Sequence, residues 1–350
     1  MIIKGENNIN SSVVYSVGFK TNLDQINSNK FYYTDHFKDI NLDNFDLLVI
    51  KCLDSMIVPK YNKFIFYVPN MGGYDSVFIL KILLKYNEIN GETYLIEPFY
   101  RDNRMLKLTL RNKNNLKVKI MLVDSYNLLS NSLDKLAKDL DVDTLKGIFP
   151  YLFPNLFNLD YVGPMPEISY YNSNVTTKLY DSLYQEKWSL RDETLKYLDK
   201  DLSALLEILN EFQDDLFINH NLELTSSLTI SNLALTKFLK YYLNESKLPL
   251  ITKSSIYEFC ANAYYGGRTE VFNPYGENFN FLDVNSLYPF AALNPMPGTE
   301  CIWLESYNDK GLNLDQLFGF FYAEVVTNNQ YFGLLPLQTK EGLIFPRCAR

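Results

Sequence analysis

Between Phe281 and Phe290 the chain reads FLDVNSLYPF. One carboxylate, Asp283, follows two apolar residues, and Ser-Leu-Tyr-Pro begins three positions later. Strand-like residues would carry Asp283 to the end of a β-strand. A carboxylate there can bind Mg²⁺, which takes oxygen ligands and shares its shell with substrate phosphates. The residues after it can turn and offer backbone N–H groups to phosphate oxygens. Tyr288 can place a flat ring beside a nucleotide sugar, and Pro289 fixes φ and stops the strand. The plainer alternative makes Asp283 an edge or capping residue. Elsewhere, Asp75 opens a helical pattern directly after a strand, where its charge suits the helix dipole. Tyr197 and Asp201 stand one helical turn apart, on one face. Gly266 and Gly267 let the backbone approach a ligand closely and permit positive φ, or they make a hairpin turn.

These residues need elements to hold them. Strands are predicted at 13–19, 45–50, 63–69, 93–99 and 118–124, rich in the residues that pleated sheets favour. Apolar residues at helical spacing predict a helix over 74–86 packed on the sheet. Further helices are predicted at 131–140, 189–212 and 231–243. The connector 147–172 has no clear period and is ordered by its aromatics. In the stretch 101–124 basic residues interleave with Leu, Val and Ile, which gives either a locally basic nucleic-acid patch or a solvated β-hairpin face.

At 350 residues, two or three domains are expected. The net charge of −8 gives nucleic acid no support as a partner, although a site can be locally basic on an acidic protein. Two histidines rule out a multi-histidine metal site. Cys52, Cys260, Cys301 and Cys348 form no CxxC pair, which argues against zinc and fits a reducing compartment. No apolar run is long enough to span a membrane, MIIKGENNIN lacks the order of a signal peptide, and no membrane partner is expected.

The segment DVNSLYP resembles motif A of the family B DNA polymerases: Asp, two residues, then Ser-Leu-Tyr-Pro. The resemblance implies that Asp283 binds the catalytic metals. It implies that Tyr288 packs against the incoming sugar and excludes ribonucleotides, while Ser286 and Leu287 supply backbone contacts to the triphosphate. AYYGGRTEVF resembles the YxGG motif that joins exonuclease and polymerase domains in protein-primed members, so Tyr264, Gly266 and Gly267 would contact template DNA. PNMGGYDSVFILK resembles the second exonuclease motif, giving Asn70 to single-stranded DNA and Asp75 to a metal. KYLDKDLSALLEIL resembles the third, with Tyr197 orienting a water and Asp201 binding metal. In the stretches 124–140 and 145–151, the protein-primed subfamily implies that Ser125, beside Tyr126, contacts the single strand. Lys146, with Phe149 in a Kxxh pattern (h is apolar), would assist the exonuclease by stabilising charge on a leaving phosphate.

The resemblance runs from about residue 13 to 345. It implies an α/β, RNase-H-like 3′–5′ exonuclease domain over 1–215. The first part of a polymerase palm follows over 216–300, then the start of the protein-primed insertion over 301–350. The implied activity is DNA-directed DNA synthesis with Mg²⁺ as cofactor. Primer-template DNA, single-stranded DNA, deoxynucleoside triphosphates and a terminal protein are the implied partners. Among the protein-primed groups that the resemblance implies (phages, adenoviruses, and linear plasmids of fungal and plant mitochondria), the abundance of Asn, Lys, Tyr, Leu and Ile suggests an AT-rich coding sequence and favours the mitochondrial plasmids. Five departures stand out. The Asp-x-Glu of the first exonuclease motif is absent. So are motif B and the Asp-Thr-Asp of motif C. Pro69 stands where the family often has His, and Cys348 where relatives tend to have Gly. A polymerase reading frame truncated or degenerate at both ends is the expectation. The rival is a non-catalytic remnant that binds DNA or terminal protein.

Overall fold

A computed structural model describes residues 2–4, 10–23, 30–34, 42–144, 147–172, 175–243, 250–269, 271, 273–298, 301–303, 315, 317–323, 333, 335–340 and 342–346. The chain divides into two units, Met1–Asn244 and Glu245–Arg350. Both helices and strands contribute, so the fold class is mixed α/β.

The first unit opens with two antiparallel ribbons, β1 (Ile2–Lys4) with β2 (Asn10–Ser12), and β3 (Ser16–Phe19) with β4 (Lys30–Tyr33). Helix α1 (Leu42–Met56) follows. It overturns the strand expected at 45–50. Phe45, Leu48, Val49, Cys52, Leu53 and Met56 are all buried, and their steps of three and four trace one helical face. The six-residue window FDLLVI was too short to show that period.

The central sheet has four strands in the order β5 (Ile65–Val68), β8 (Lys119–Asp124), β7 (Arg104–Asn112), β6 (Tyr94–Arg101). β5 runs parallel to β8, whereas β8–β7 and β7–β6 are antiparallel. Asp102 and Asn103 connect β6 to β7, both at positive φ, as a two-residue hairpin turn requires. The hairpin expected within 101–124 is present as β7 paired with β8, but not as a solvated face. β7 lies inside the sheet, and Met105, Leu106, Leu108 and Leu110 are buried. Helix α2 (Asp75–Asn90) covers the sheet through Ile82 and Leu83. It ends on Gly91 at φ 72°, the left-handed cap that glycine adopts without a Cβ penalty. α1, α2, Phe19 and the inward faces of the sheet form one core.

Beyond β8 lie α3 (Leu133–Asp139), capped by the Ser132 side chain, and the connector. The connector packs by its aromatics: Phe153 meets Tyr161, Tyr170 and Trp188 edge-on at 5.1, 5.3 and 5.8 Å. Strand β9 (Val162–Gly163), helix α4 (Thr177–Leu183) and strand β10 (Trp188–Ser189) follow, with β10 paired to β9. Helix α5 (Leu190–His220), 31 residues long and capped by Ser189, passes three cores. Helix α6 (Ile230–Tyr241) completes this unit. The second unit contains α7 (Ser254–Asn262), the short helix α8 (Leu287–Ala291), and a ribbon of β11 (Leu337–Thr339) with β12 (Gly342–Ile344). Among the described residues, no helix is long and apolar enough to cross a membrane.

Candidate functional site

The first unit holds an open cleft of about 910 Å³. Its walls come from the carboxyl ends of β5 and β8, the start of α2, strand β3 and one face of α5. Asn70, Asp75, Arg104, Ser125, Tyr126 and Asp201 all line it. Five of these six are residues singled out from the sequence, drawn from three separate stretches. Phe66 and Val123 anchor the paired strands β5 and β8 in the core, so both strands deliver their terminal residues to one edge. Leu198, Asp201, Leu202 and Leu205 recur at helical spacing and turn one stripe of α5 to the cleft.

The loop after β5 is shaped by Asn70, which adopts the left-handed conformation at φ 54°, where Asn is several-fold enriched. The Gly72 N–H donates to Asp124 Oδ2 at 3.0 Å, and the Tyr126 N–H donates to Asp124 Oδ1 at 3.0 Å. Arg104 Nη2 donates to Asp124 Oδ2 at 3.3 Å and to Asn70 Oδ1 at 2.7 Å. Asp124 is fully buried, and these three donors satisfy it. The Arg104 guanidinium lies 5.0 Å over the Tyr126 ring. Ser125 is buried in the turn that follows β8. Arg104 and Asp124 were not singled out from the sequence. Asp124 ends a predicted strand next to Ser125, but nothing in the chain signals that it is a buried acceptor.

Asp75 is the first residue of α2, after the cap residue Tyr74. Burial, and then the Asp124 charge, push its carboxyl up to about 6. The Tyr197 phenol is held well above its ordinary acidity range by burial and by hydrogen bonds with Tyr151 and Asp201. The two phenol oxygens, of Tyr151 and Tyr197, are 2.6 Å apart. Tyr197 borders a smaller pocket of about 250 Å³ with Pro150 and Lys200. Phe149 is buried against the Tyr197 ring at 5.2 Å. Lys146 lies outside the described residues, as does Cys348.

The second unit corrects the reading of Asp283. Residues 281–284 form no strand, and Pro289 lies inside α8 instead of ending a strand. A strand exists only where a neighbour completes its ladder, and among the described residues no strand pairs with this segment. Phe281 and Leu282 are 94% and 90% exposed. Ser286 precedes α8 in the left-handed conformation at φ 53°, with no side-chain capping hydrogen bond, Leu287 opens the helix, and Tyr288 is 78% exposed. A Cβ on Gly267 would stand 3.9 Å from Tyr288 Oη, so the YYGG segment passes beside that phenol. Tyr264 is largely exposed. Gly266 and Gly267 do not adopt positive φ. They lie in irregular backbone and do not form a hairpin turn.

Among the described residues, no group of three or more His, Cys, Asp or Glu side chains could hold a metal ion. Asp124 is filled by its three donors, which leaves Asp75 and Asp201 as the carboxylates of the cleft. A two-ion phosphodiester site needs more oxygen ligands than two carboxylates give. Asp283 is likewise single. The described residues therefore do not fit a two-ion site at either place.

A family model for type B DNA polymerases, organellar and viral, matches residues 55–349. A probable DNA polymerase of Podospora anserina is 40% identical over 378 aligned positions, covering 96% of this chain and 31% of the relative. One of Neurospora intermedia is 32% identical, covering 69% of this chain and 26% of the relative. One of Agaricus bitorquis is 31% identical, covering 81% and 36%. The chain thus spans roughly a third or less of the length of the relatives it matches. Phi29 DNA polymerase complexed with single-stranded DNA is similar at a TM-score of 0.40 and 17% identity, over 75% of this chain and 41% of that one. The same enzyme complexed with primer-template DNA and incoming nucleotide is similar at 0.37 and 20%, over 69% and 34%.

Proposed function

The chain belongs to the type B DNA polymerases of the organellar and viral kind, and from that premise we propose that it is part of a protein-primed DNA polymerase. Residues 1–215 are its exonuclease-like domain, 216–300 the first part of its palm, and 301–350 the start of its insertion. The whole polymerase copies a DNA template with deoxynucleoside triphosphates, starts from a terminal protein, and replicates a linear element in a fungal or plant mitochondrion. Divalent-metal dependence belongs to the family in general.

One observation carries the assignment of the first unit: Asn70, Asp75, Ser125, Tyr126 and Asp201 line a single cleft. In this reading Asn70, Ser125 and Tyr126 hold single-stranded DNA there, the base stacking on the exposed ring of Tyr126. Tyr197 fixes the orientation of Asp201 through their hydrogen bond. In the second unit, Tyr288 bears on the nucleotide sugar. Ser286 and Leu287 present backbone N–H groups to its phosphates, and Tyr264, Gly266 and Gly267 follow the template. The test is a fluorescence titration of the chain with a short single-stranded oligonucleotide at low salt. Saturable binding is expected, and its absence would remove the nucleic-acid assignment.

The small number of carboxylates in the cleft among the described residues favours a second reading for this chain by itself: it binds DNA without catalysis. Asp75 and Asp201 do not complete a two-ion site, and Lys146 cannot compensate for missing ligands. Incubation of 5′-labelled single strands with Mg²⁺ separates the readings, because shortening of the strand that is lost in Asp201→Ala would overturn the non-catalytic one.

A further inference from the structure

We propose that Arg104 is the phosphate-gripping cation of the cleft and, with the Tyr126 ring beside it, holds a single strand there without a divalent ion. The inference rests on reading the cleft as a single-strand site. It adds a residue that neither the motifs nor the family resemblance singled out, and a mode of binding that differs from metal-bridged capture.

The geometry around Arg104 is built. Its stem crosses the loop at Gly72, where a Cβ would lie 2.7 Å from Arg104 Cγ and 2.4 Å from the Met105 carbonyl oxygen. Any side chain at position 72 would displace it. At the far end, Nη2 is fixed between Asn70 Oδ1 and Asp124 Oδ2, and the guanidinium plane lies over Tyr126. The side chain is 34% exposed while its partner Asp124 is 0% exposed. The head is therefore held from below and open toward the cleft. Both of these hydrogen bonds use Nη2, and Nε is buried with no partner among the described residues.

A guanidinium carries five N–H donors in a rigid fork. With Nη2 engaged by protein, the fork keeps its Nη1 donors, in the planar arrangement that suits a phosphodiester. Because the fork is pre-oriented, little rotamer freedom is lost on binding. The buried Asp124 pairs with this cation through Nη2 alone, so its hydrogen bond does not occupy the Nη1 donors. Tyr126 is 38% exposed, which leaves ring surface for a base next to the guanidinium. Phosphate and base contacts are then delivered by adjacent side chains of one network, which a divalent ion need not bridge.

The experiment uses the full chain, a fluorescein-labelled oligothymidylate, and anisotropy titrations over a range of salt, in EDTA and in Mg²⁺. The parent is expected to bind in EDTA within about twofold of its affinity in Mg²⁺. Arg104→Gln should weaken binding about tenfold, in line with loss of one charge-assisted contact. It should also lower the slope of log affinity on log salt by about 0.7, the value of one phosphate contact on a single strand. A purely structural role for Arg104 would leave that slope unchanged. Removing Arg104 strands the buried Asp124 charge, so the same substitution is also made in an Asp124→Asn background, and the slopes of Asp124→Asn with and without it are compared. An unchanged slope in both backgrounds, or binding that requires Mg²⁺, overturns the proposal while leaving the cleft a DNA site. If the parent binds no oligonucleotide under any condition, the reading of the cleft itself falls.

Discussion

Replacing Asp75 with Asn should make the first unit more stable at neutral pH, and the size of the gain follows from its surroundings. The carboxyl rises from an ordinary 3.8 to about 6, first through burial and second through the Asp124 charge. At ~1.36 kcal/mol per tenfold change in acidity, that rise costs the ionised folded form about 3 kcal/mol. Asp75 is partly solvated at the cleft wall, so about half of this is retained. Asn also gives up a negative charge at the start of α2, worth about 0.5 kcal/mol. The net expectation is a gain of about 1 kcal/mol at pH 7.5, or about 3 °C in Tm for a unit of this size. The sign with pH is fixed by linkage. Below 3.8 both folded and unfolded chains hold the proton, and the carboxyl costs nothing. Between 3.8 and about 6 the unfolded chain releases it first, so stability falls as pH rises. Above about 6 the penalty is constant. The advantage of Asp75→Asn should therefore be present at pH 7.5 and largely gone at pH 4. Urea denaturation at both values, followed by near-ultraviolet circular dichroism, measures it. A variant less stable than the parent at pH 7.5, or an equal gain at both pH values, would refute the reasoning.

Three further outcomes are expected. Leu108→Ala, at a fully buried position in the interior strand β7, should cost about 2–5 kcal/mol in denaturant unfolding; a loss below about 1 kcal/mol would place β7 at a looser part of the sheet. Tyr197→Phe removes the phenol shared with Tyr151 and Asp201 and should cost about 1–2 kcal/mol, read from thermal melting; an unchanged melt would mean that this network adds nothing. The chain incubated with primer-template, Mg²⁺ and deoxynucleoside triphosphates should incorporate no nucleotide, because among the described residues Asp283 belongs to no group of three or more potential metal ligands. Incorporation that disappears in Asp283→Ala would show that the missing ligand is present.

Much of the first unit was legible because its signals are local. The alternating strands at 63–69, 93–99 and 118–124 and the helical periods of 74–86, 189–212 and 231–243 all match elements of the structure. What failed needed information from a distance. FDLLVI has the composition of a strand, and only the longer spacing from Phe45 to Met56 reveals a helix. FLDV has the composition of a strand too, but a strand is completed by a partner, and that partner is not encoded within the segment. Arg104 was visible only as one of several basic residues. Its importance comes from Asp124, Asn70 and Tyr126, which the fold brings together from both sides of it in sequence.

The mixed pairing of the central sheet also has a consequence in time. β6, β7 and β8 form a meander joined by short turns, so each pairing closes a small loop at low entropic cost. β5 is synthesised first, yet its partner β8 is last of the four, with α2, β6 and β7 between them. That parallel pairing closes a long loop, and non-local contacts form slowly. On an emerging chain the meander can zip while β5 waits unpaired on both edges. The side of the cleft built from the ends of β5 and β8 is then completed by the last and slowest pairing of the sheet.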